Sequence, residues 1–283
     1  MLSLHTNNAA LSAQNSLSKT QSSLSTSMTR LSTGFRINSA KDDAAGLQIA
    51  SRLKAQTSGM AVAMRNTQNA TSMLQTADGA LDEVSNMLIR MKDLATQSAD
   101  ASSTADDQKA MQSEYDALGK ELGNVLKNTT FGGKTLMVGG TIASSMTFQI
   151  GASSSETMAV DLSADMTSVV TNVTSATANY AAAATGTELT SAANATIGKL
   201  DTALASVNKV RSGLGAASNR LEHVYNNLAN ISSNTKAATG LIMDVDFATE
   251  SSSMTSNQML MQAGTAMLKQ TNSMSSMVMS LLQ

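Results

Sequence analysis

From Ile49 to Ala95 the chain repeats an apolar position at alternating steps of four and three residues without a break. The series is Ile49, Leu53, Gln56, Met60, Ala63, Thr67, Ala70, Leu74, Ala77, Leu81, Val84, Leu88, Met91 and Ala95, and only Gln56 and Thr67 are polar. That spacing keeps one stripe on one side of an α-helix. A helix of this length extends roughly 70 Å at about 1.5 Å per residue, too long for an ordinary globular helix. The 283 residues contain no proline, and proline removes a helical hydrogen bond and clashes with the preceding turn. The chain must therefore build its core from long helices lying side by side.

Two further stripes supply partners. Met111, Tyr115, Leu118, Leu122 and Val125 share one face of a second predicted helix. Leu200, Leu204, Val207, Val210, Leu214, Ala217, Leu221, Val224, Leu228 and Ile231 mark a third. Only 2% of residues are aromatic, while 20 are methionine. Small and flexible side chains of this kind suit closely packed helices.

Both ends carry weaker stripes. Residues 1–41 contain no acidic residue, and Leu17, Leu24 and Leu31 stand one heptad apart. Residues 251–283 contain one charge, Lys269. There the spacing predicts a seam through Leu260, Ala263, Met267, Gln270, Met274, Met277 and Leu281. Such helices are marginal alone in water and need a partner to bury their stripe.

The middle differs. Phe131-Gly132-Gly133 and Val138-Gly139-Gly140 punctuate the chain. Met146, Phe148 and Ile150 alternate with polar residues, as do Met158, Val160 and Leu162, which predicts a β-hairpin turning at 151–155. Residues 165–192, rich in Ser, Thr, Ala and Asn, read as a short exposed connection. The expected fold is mainly α: an elongated antiparallel helical bundle or coiled coil with a small β-hairpin region in mid-chain.

Composition and motifs argue against catalysis. The net charge of −2 supplies no field for nucleic acid or a membrane surface. There is no cysteine, hence no disulfide and no thiolate metal site. The two histidines, His5 and His223, lack metal-ligand spacing. Asp42-Asp43 precedes the long helix, where the helix dipole favours acidic caps over a metal or acid/base pair. No nucleophile, base and orienting residue can be assembled, and no catalytic residue, metal or cofactor is expected. The start of the chain lacks a secretory signal, and no run of about eighteen apolar residues spans a membrane. A dedicated export apparatus would escape those rules.

Residues 30–53, RLSTGFRINSAKDDAAGLQIASRL, closely resemble the N-terminal signature of bacterial flagellin. Residues 243–283, MDVDFATESSSMTSNQMLMQAGTAMLKQTNSMSSMVMSLLQ, resemble its C-terminal signature. The resemblance implies a folded-back chain. Residues 1–42 with 244–283 would form the inner coiled-coil domain lining a hollow filament. Residues 43–164 with 193–243 would form the outer core domain. Only a short segment stands where many members carry large outermost domains, so a thin, smooth extracellular filament is implied. The implied partners are the chain itself as a helical homopolymer, the flagellar export chaperone, and the cap and hook-associated proteins. The implied route is flagellar type III export of an unfolded chain. Leu17, Leu24, Leu31, Leu260, Met267, Met274 and Leu281 would form the polymerisation seam.

The family also carries a motif recognised by Toll-like receptor 5 within residues 88–100, which Arg90 and Leu94 match, with Glu114 on the adjacent helix. Leu94, flanking the seam, is expected to stay partly exposed. Ile89 stands where the family usually has Gln, and Asp93 where it has Glu, so one hydrogen-bonding amide is lost. Two alternatives share features of the chain. A hook–filament junction protein has similar helical termini. A soluble helical signalling bundle has similar composition but a charged hairpin tip in place of the β-hairpin.

Overall fold

The computed structural model describes residues 7–180 and 186–281, with side chains except at 179 and 274–281. His5 therefore lies outside the described residues, as do the side chains of Met274 and Leu281. The elements are α1 (Asn8–Thr33), α2 (Ala44–Ser98), α3 (Ala105–Asn128), β1 (Thr130–Phe131), β2 (Lys134–Thr135), β3 (Met146–Gln149), β4 (Thr157–Val160), α4 (Ser163–Ala176), α5 (Glu188–Met243) and α6 (Phe247–Leu281). The fold is mainly α with two small antiparallel hairpins. The chain divides into two compact units, residues 1–57 with 233–283 and residues 58–232.

The 58–232 unit holds the large core. From Met60 to Ala95 every position of the α2 stripe is buried, Thr67 included. Thr67 satisfies its hydroxyl on the carbonyl of Ala63 at 2.8 Å, which is why a polar side chain survives there. Tyr115, Leu122 and Leu126 of α3 join this core, with Leu200, Val207, Val210, Leu214 and Leu221 of α5. Ion pairs fix the helix order. Arg211 of α5 reaches Asp78 at 3.0 Å and Asp82 at 2.9 Å, and Lys92 reaches Asp201 at 2.6 Å. Rising numbers on α2 meet falling numbers on α5, so the pair is antiparallel. Arg90 with Glu114, and Gln108 bonding to the carbonyl of Ser98, orient α3 antiparallel to α2 in the same way.

The predicted hairpin forms between β3 and β4. Met146 pairs with Val160 and Phe148 with Met158. Met146, Met158 and Val160 turn into the core. A second hairpin pairs Phe131 with Lys134 around Gly132-Gly133. Both glycines have positive φ, 58° and 82°, the requirement of the tightest two-residue hairpin turn.

The first part of the expected exposed connection 165–192 differs: residues up to Ala176 belong to the helix α4. Met166, Val169, Val173 and Ala176 of α4 are fully buried in the core. Their three-four-three spacing forms an inward stripe. Thr167, Ser168, Thr171 and Thr174 each bond to the carbonyl four residues back. The polar residues are thus a helix surface rather than a loop. The ends of the long stripes also drift: Ile49, Gln56 and Ile231 are exposed, whereas Gly46, Ala50 and Ser232 are buried.

The other unit has a sparse interior. Among its described residues only Leu24, Ser27, Ile37, Gly46 and Ala50 are buried. Asp43 accepts from the backbone N–H of Gly46 at 2.8 Å and caps α2. Asp42 accepts from the N–H groups of Asn38 and Ser39 at 3.1 and 2.8 Å. These backbone bonds to Ser39, with the Ser39 hydroxyl, hold the Asp42 carboxyl below its ordinary range. The acidic pair organises a helix start, as the dipole argument predicts.

Candidate assembly surface

The α1–α6 pair is antiparallel, and three contacts set its register. Asn7 donates to the carbonyl of Thr271 at 3.4 Å. A Cβ on Gly264 would stand 3.2 Å from Leu17 Cδ1. Arg30 faces Glu250 at 3.5 Å. Gly264 thus lets Leu17 pack directly on the α6 backbone. Beyond α1, Gly34 takes φ 76° and ends the helix, since glycine alone enters that region freely. Phe35 then bridges to Asp244, and the Arg36 guanidinium donates to the carbonyl of Ile242 at 2.9 Å. Asp246 caps α6 through Ala248 and Thr249.

On α1 the predicted seam is the packing face: Leu24 is buried, and Leu17 and Leu31 are half-buried. On α6 the face toward α1 is another one. The half-buried positions are Glu250, Met254, Asn257, Met261, Gly264, Leu268 and Thr271. The predicted Leu260 and Met267 are 58% and 64% exposed, and Ala263 and Gln270 are exposed too. The two stripes are one residue apart. Gly264 marks the face toward α1, because Leu17 packs so close there that even a Cβ would be tight.

The pair therefore leaves a second apolar face open. Leu260 and Met267 lie two helical turns apart on one side of α6 and are both exposed, while Leu11, Met28, Phe247 and Met259 are exposed elsewhere on the pair. An apolar face of this kind marks an interaction surface.

The receptor-motif residues fall differently. Arg90 and Glu114 come together, with Nη2 to Oε1 at 2.6 Å and Nε to Oε1 at 2.8 Å, and both side chains about half exposed. Ile89 beside them is 46% exposed. Leu94 is not partly exposed: at 2% it belongs to the core. Leu94 lies three residues from Met91 and one from Ala95, and α3 and α5 widen the buried sector enough to take it in.

One polar cluster carries no signal in the sequence. The Gln112 amide, 3% exposed, donates to Asp116 at 2.7 Å and Glu188 at 2.9 Å, and its oxygen accepts from the N–H of Leu189 at 2.7 Å. Glu188 also accepts from the N–H of Ala178 at 2.7 Å. Tyr115 donates to the carbonyl of Ala176 at 2.7 Å, and burial, with the Glu188 and Asp116 charges, pushes its phenol well above the usual range. These bonds fasten the start of α5 and the end of α4 to α3, which is a structural task. Among the described residues no group of His, Asp and Glu is placed to hold a metal ion, and His223 is exposed on α5.

The bacterial flagellin N-terminal helical region matches residues 4–141, and the bacterial flagellin C-terminal helical region matches residues 197–282. The chain belongs to the bacterial flagellin family. Flagellin of Halalkalibacterium halodurans is 37% identical over 281 residues, covering 99% of each chain. Flagellin A of Vibrio anguillarum is 34% identical over 379 aligned residues that take in all of both chains. The alignment is longer than the 283 residues here, as befits a short flagellin. A solved structure described as a flagellar hook-associated protein from Vibrio parahaemolyticus superposes with a TM-score of 0.58 over 71% of this chain and 99% of that one. At 18% identity it speaks for the fold alone. Flagellins are structural proteins that polymerise with themselves into the flagellar filament. Among the described residues of this flagellin no helix is long and apolar enough to cross a membrane.

Proposed function

We propose that this flagellin is exported unfolded through the flagellar type III apparatus and adds to an extracellular filament through its α1–α6 pair. The observation that carries this reading is the exposed apolar face at Leu260 and Met267. Burying it against neighbouring subunits, at about 25 cal/mol per Å² of apolar surface, drives assembly. In this reading Leu17, Leu24 and Leu31 hold the intrachain pair, while Leu260 and Met267, with Met274 and Leu281 beyond them, meet other subunits. Residues 1–42 and 244–283 form the inner domain of the filament. The export chaperone, the cap and the hook-associated proteins engage the same termini before and during assembly.

The absence of proline favours this route, since no slow cis/trans step delays refolding after export. Negative-stain microscopy of the purified protein, with and without a filament seed, tests the reading. Seeded growth of filaments is expected, and a protein that stays monomeric under both conditions refutes it.

Recognition of the monomer by Toll-like receptor 5 would run over Ile89, Arg90 and Glu114. Arg90 can donate several directed hydrogen bonds there. Leu94 supports that surface from beneath.

A further inference from the structure

We propose that Met28, Met259 and Met267 are oxidation sites through which peroxide-class oxidants control filament growth. The assembly half of this inference rests on the function proposed above; the modification half does not.

The chain contains neither cysteine nor tryptophan. With no thiol present, methionine sulfur is the most readily oxidised group in the protein, and exposure decides which methionines react first. Among the methionines whose side chains are described, Met28, Met259 and Met267 are exposed, Met64, Met73, Met87, Met243, Met254 and Met261 are half-buried, and the others are buried. Met60, Met91, Met137, Met146, Met158 and Met166 are buried, none above 4% exposed. Met28, Met259 and Met267 are 47%, 60% and 64% exposed. All three lie on the α1–α6 pair. Met267 lies two turns from Leu260 on the open side of α6, and Met28 and Met259 are exposed on other sides of the pair, so sulfoxide at Met267 is the modification that falls directly on the assembly surface. Leucine at those positions would serve burial equally well and would not react.

The step balances with peroxide alone. A sulfur lone pair attacks one peroxide oxygen, the O–O bond breaks, an S–O bond forms, and water leaves after proton transfer. Sulfur loses two electrons and the peroxide gains them. The product is a polar sulfoxide in place of an apolar thioether. A face that was apolar then holds hydrogen-bond acceptors that the neighbouring subunit must desolvate. Free subunits stop adding, and enzymatic reduction of the sulfoxide restores them.

The test treats the full-length monomer with graded hydrogen peroxide and reads two outputs. Peptide mass spectrometry should show added oxygen at Met28, Met259 and Met267 at doses that leave Met91, Met137 and Met166 untouched. Seeded filament yield should fall in step with those three modifications and return after methionine sulfoxide reductase with a thiol reductant. In the triple variant Met28→Leu, Met259→Leu, Met267→Leu the yield after peroxide should equal that variant's own untreated yield. Equal reaction of exposed and buried methionines overturns the proposal. So does a yield unaffected by oxidation, or a treated triple variant that loses yield as the wild type does. If the triple variant does not assemble untreated, the dose dependence and reductase recovery of wild type decide in its place. Failure of untreated wild type to form filaments strikes the proposed function, while peptide mapping still tests the sites.

Discussion

Arg90 and Leu94 are four residues apart, yet they do unlike work. The Arg90–Glu114 pair is half exposed, and an ion pair of that kind contributes about 0–1 kcal/mol. Leu94 is buried, and removing such a side chain costs about 2–5 kcal/mol. Arg90→Ala should therefore melt close to wild type and lose signalling in a Toll-like receptor 5 reporter assay on monomer. Leu94→Ala should lose stability in chemical denaturation. If Arg90→Ala signals as wild type does, the receptor reading fails. Ile89→Gln should raise the signal by restoring an amide at an exposed position. Acid acts on other residues. Asp107 and Asp246 are held below their ordinary range by hydrogen bonds from Thr104 and Thr249, side chain first. A lowered folded pKa stabilises above the unfolded value of about 3.9 and is lost as pH falls through the folded value. Helix content followed by circular dichroism should accordingly drop in acid below about pH 4. In Asp107→Asn/Asp246→Asn, which keeps cap acceptors without a titrating group, the drop should be shallower. The capping role of the Asp42-Asp43 pair was legible in the sequence, because the pair precedes an apolar stripe; the Thr104–Asp107 capping box at the start of α3 is read from the structure. The burial of Leu94 was not, because one helix's stripe does not tell how many neighbours will cover it.

At the scale of elements, strong periodicity was readable and weak periodicity was not. The stripes of α2, α3 and α5 carry large aliphatic side chains against polar neighbours, and their central turns are buried as spaced. The β3–β4 hairpin followed from alternation. On α6, Met, Leu, Ser and Gln occupy so many positions that two stripes one residue apart are both apolar. Only the register against α1, through Gly264 and Leu17, separates them. In α4 the apolar stripe is short, with two β-branched valines among its four residues, and is set among Ser and Thr, residues with poor helix propensity, and its burial comes from tertiary packing. The two stripes of the helix pair predict opposite behaviour. Leu24→Asp places a carboxylate in the packed face, where unpaired charge is costly, and should lower the helix content of the monomer. Met267→Asp lies on the open face and should leave monomer helicity intact while abolishing filaments. Circular dichroism of the monomer and microscopy after seeding read the two effects. Loss of helicity in both variants would place Met267 in the intrachain seam after all.

Over the whole molecule, stability is unevenly distributed. The core runs from Ala70 to Leu221, entirely inside the 58–232 unit. The described residues of 1–57 with 233–283 bury few side chains and show much apolar surface. Little burial offsets the ordering entropy of that unit, so the α1–α6 pair is the less stable part of the monomer. Weak charge at both ends of the sequence marked helices that need a partner, while the boundary between the two units, at 57/58 and 232/233, carries no signal in the stripes that run across it. The consequence is a separable truncation. Deleting residues 251–283 removes most of α6 and none of the 58–232 core. The shortened protein should melt cooperatively, with protease-resistant fragments mapping to the central unit. It should remain monomeric and should not extend a filament seed. Scanning calorimetry, limited proteolysis and electron microscopy give the three readings. Filaments of normal diameter from the truncation would show that the central unit carries the polymer contacts. A truncation without a cooperative transition would show that the central core depends on α6, contrary to the packing described.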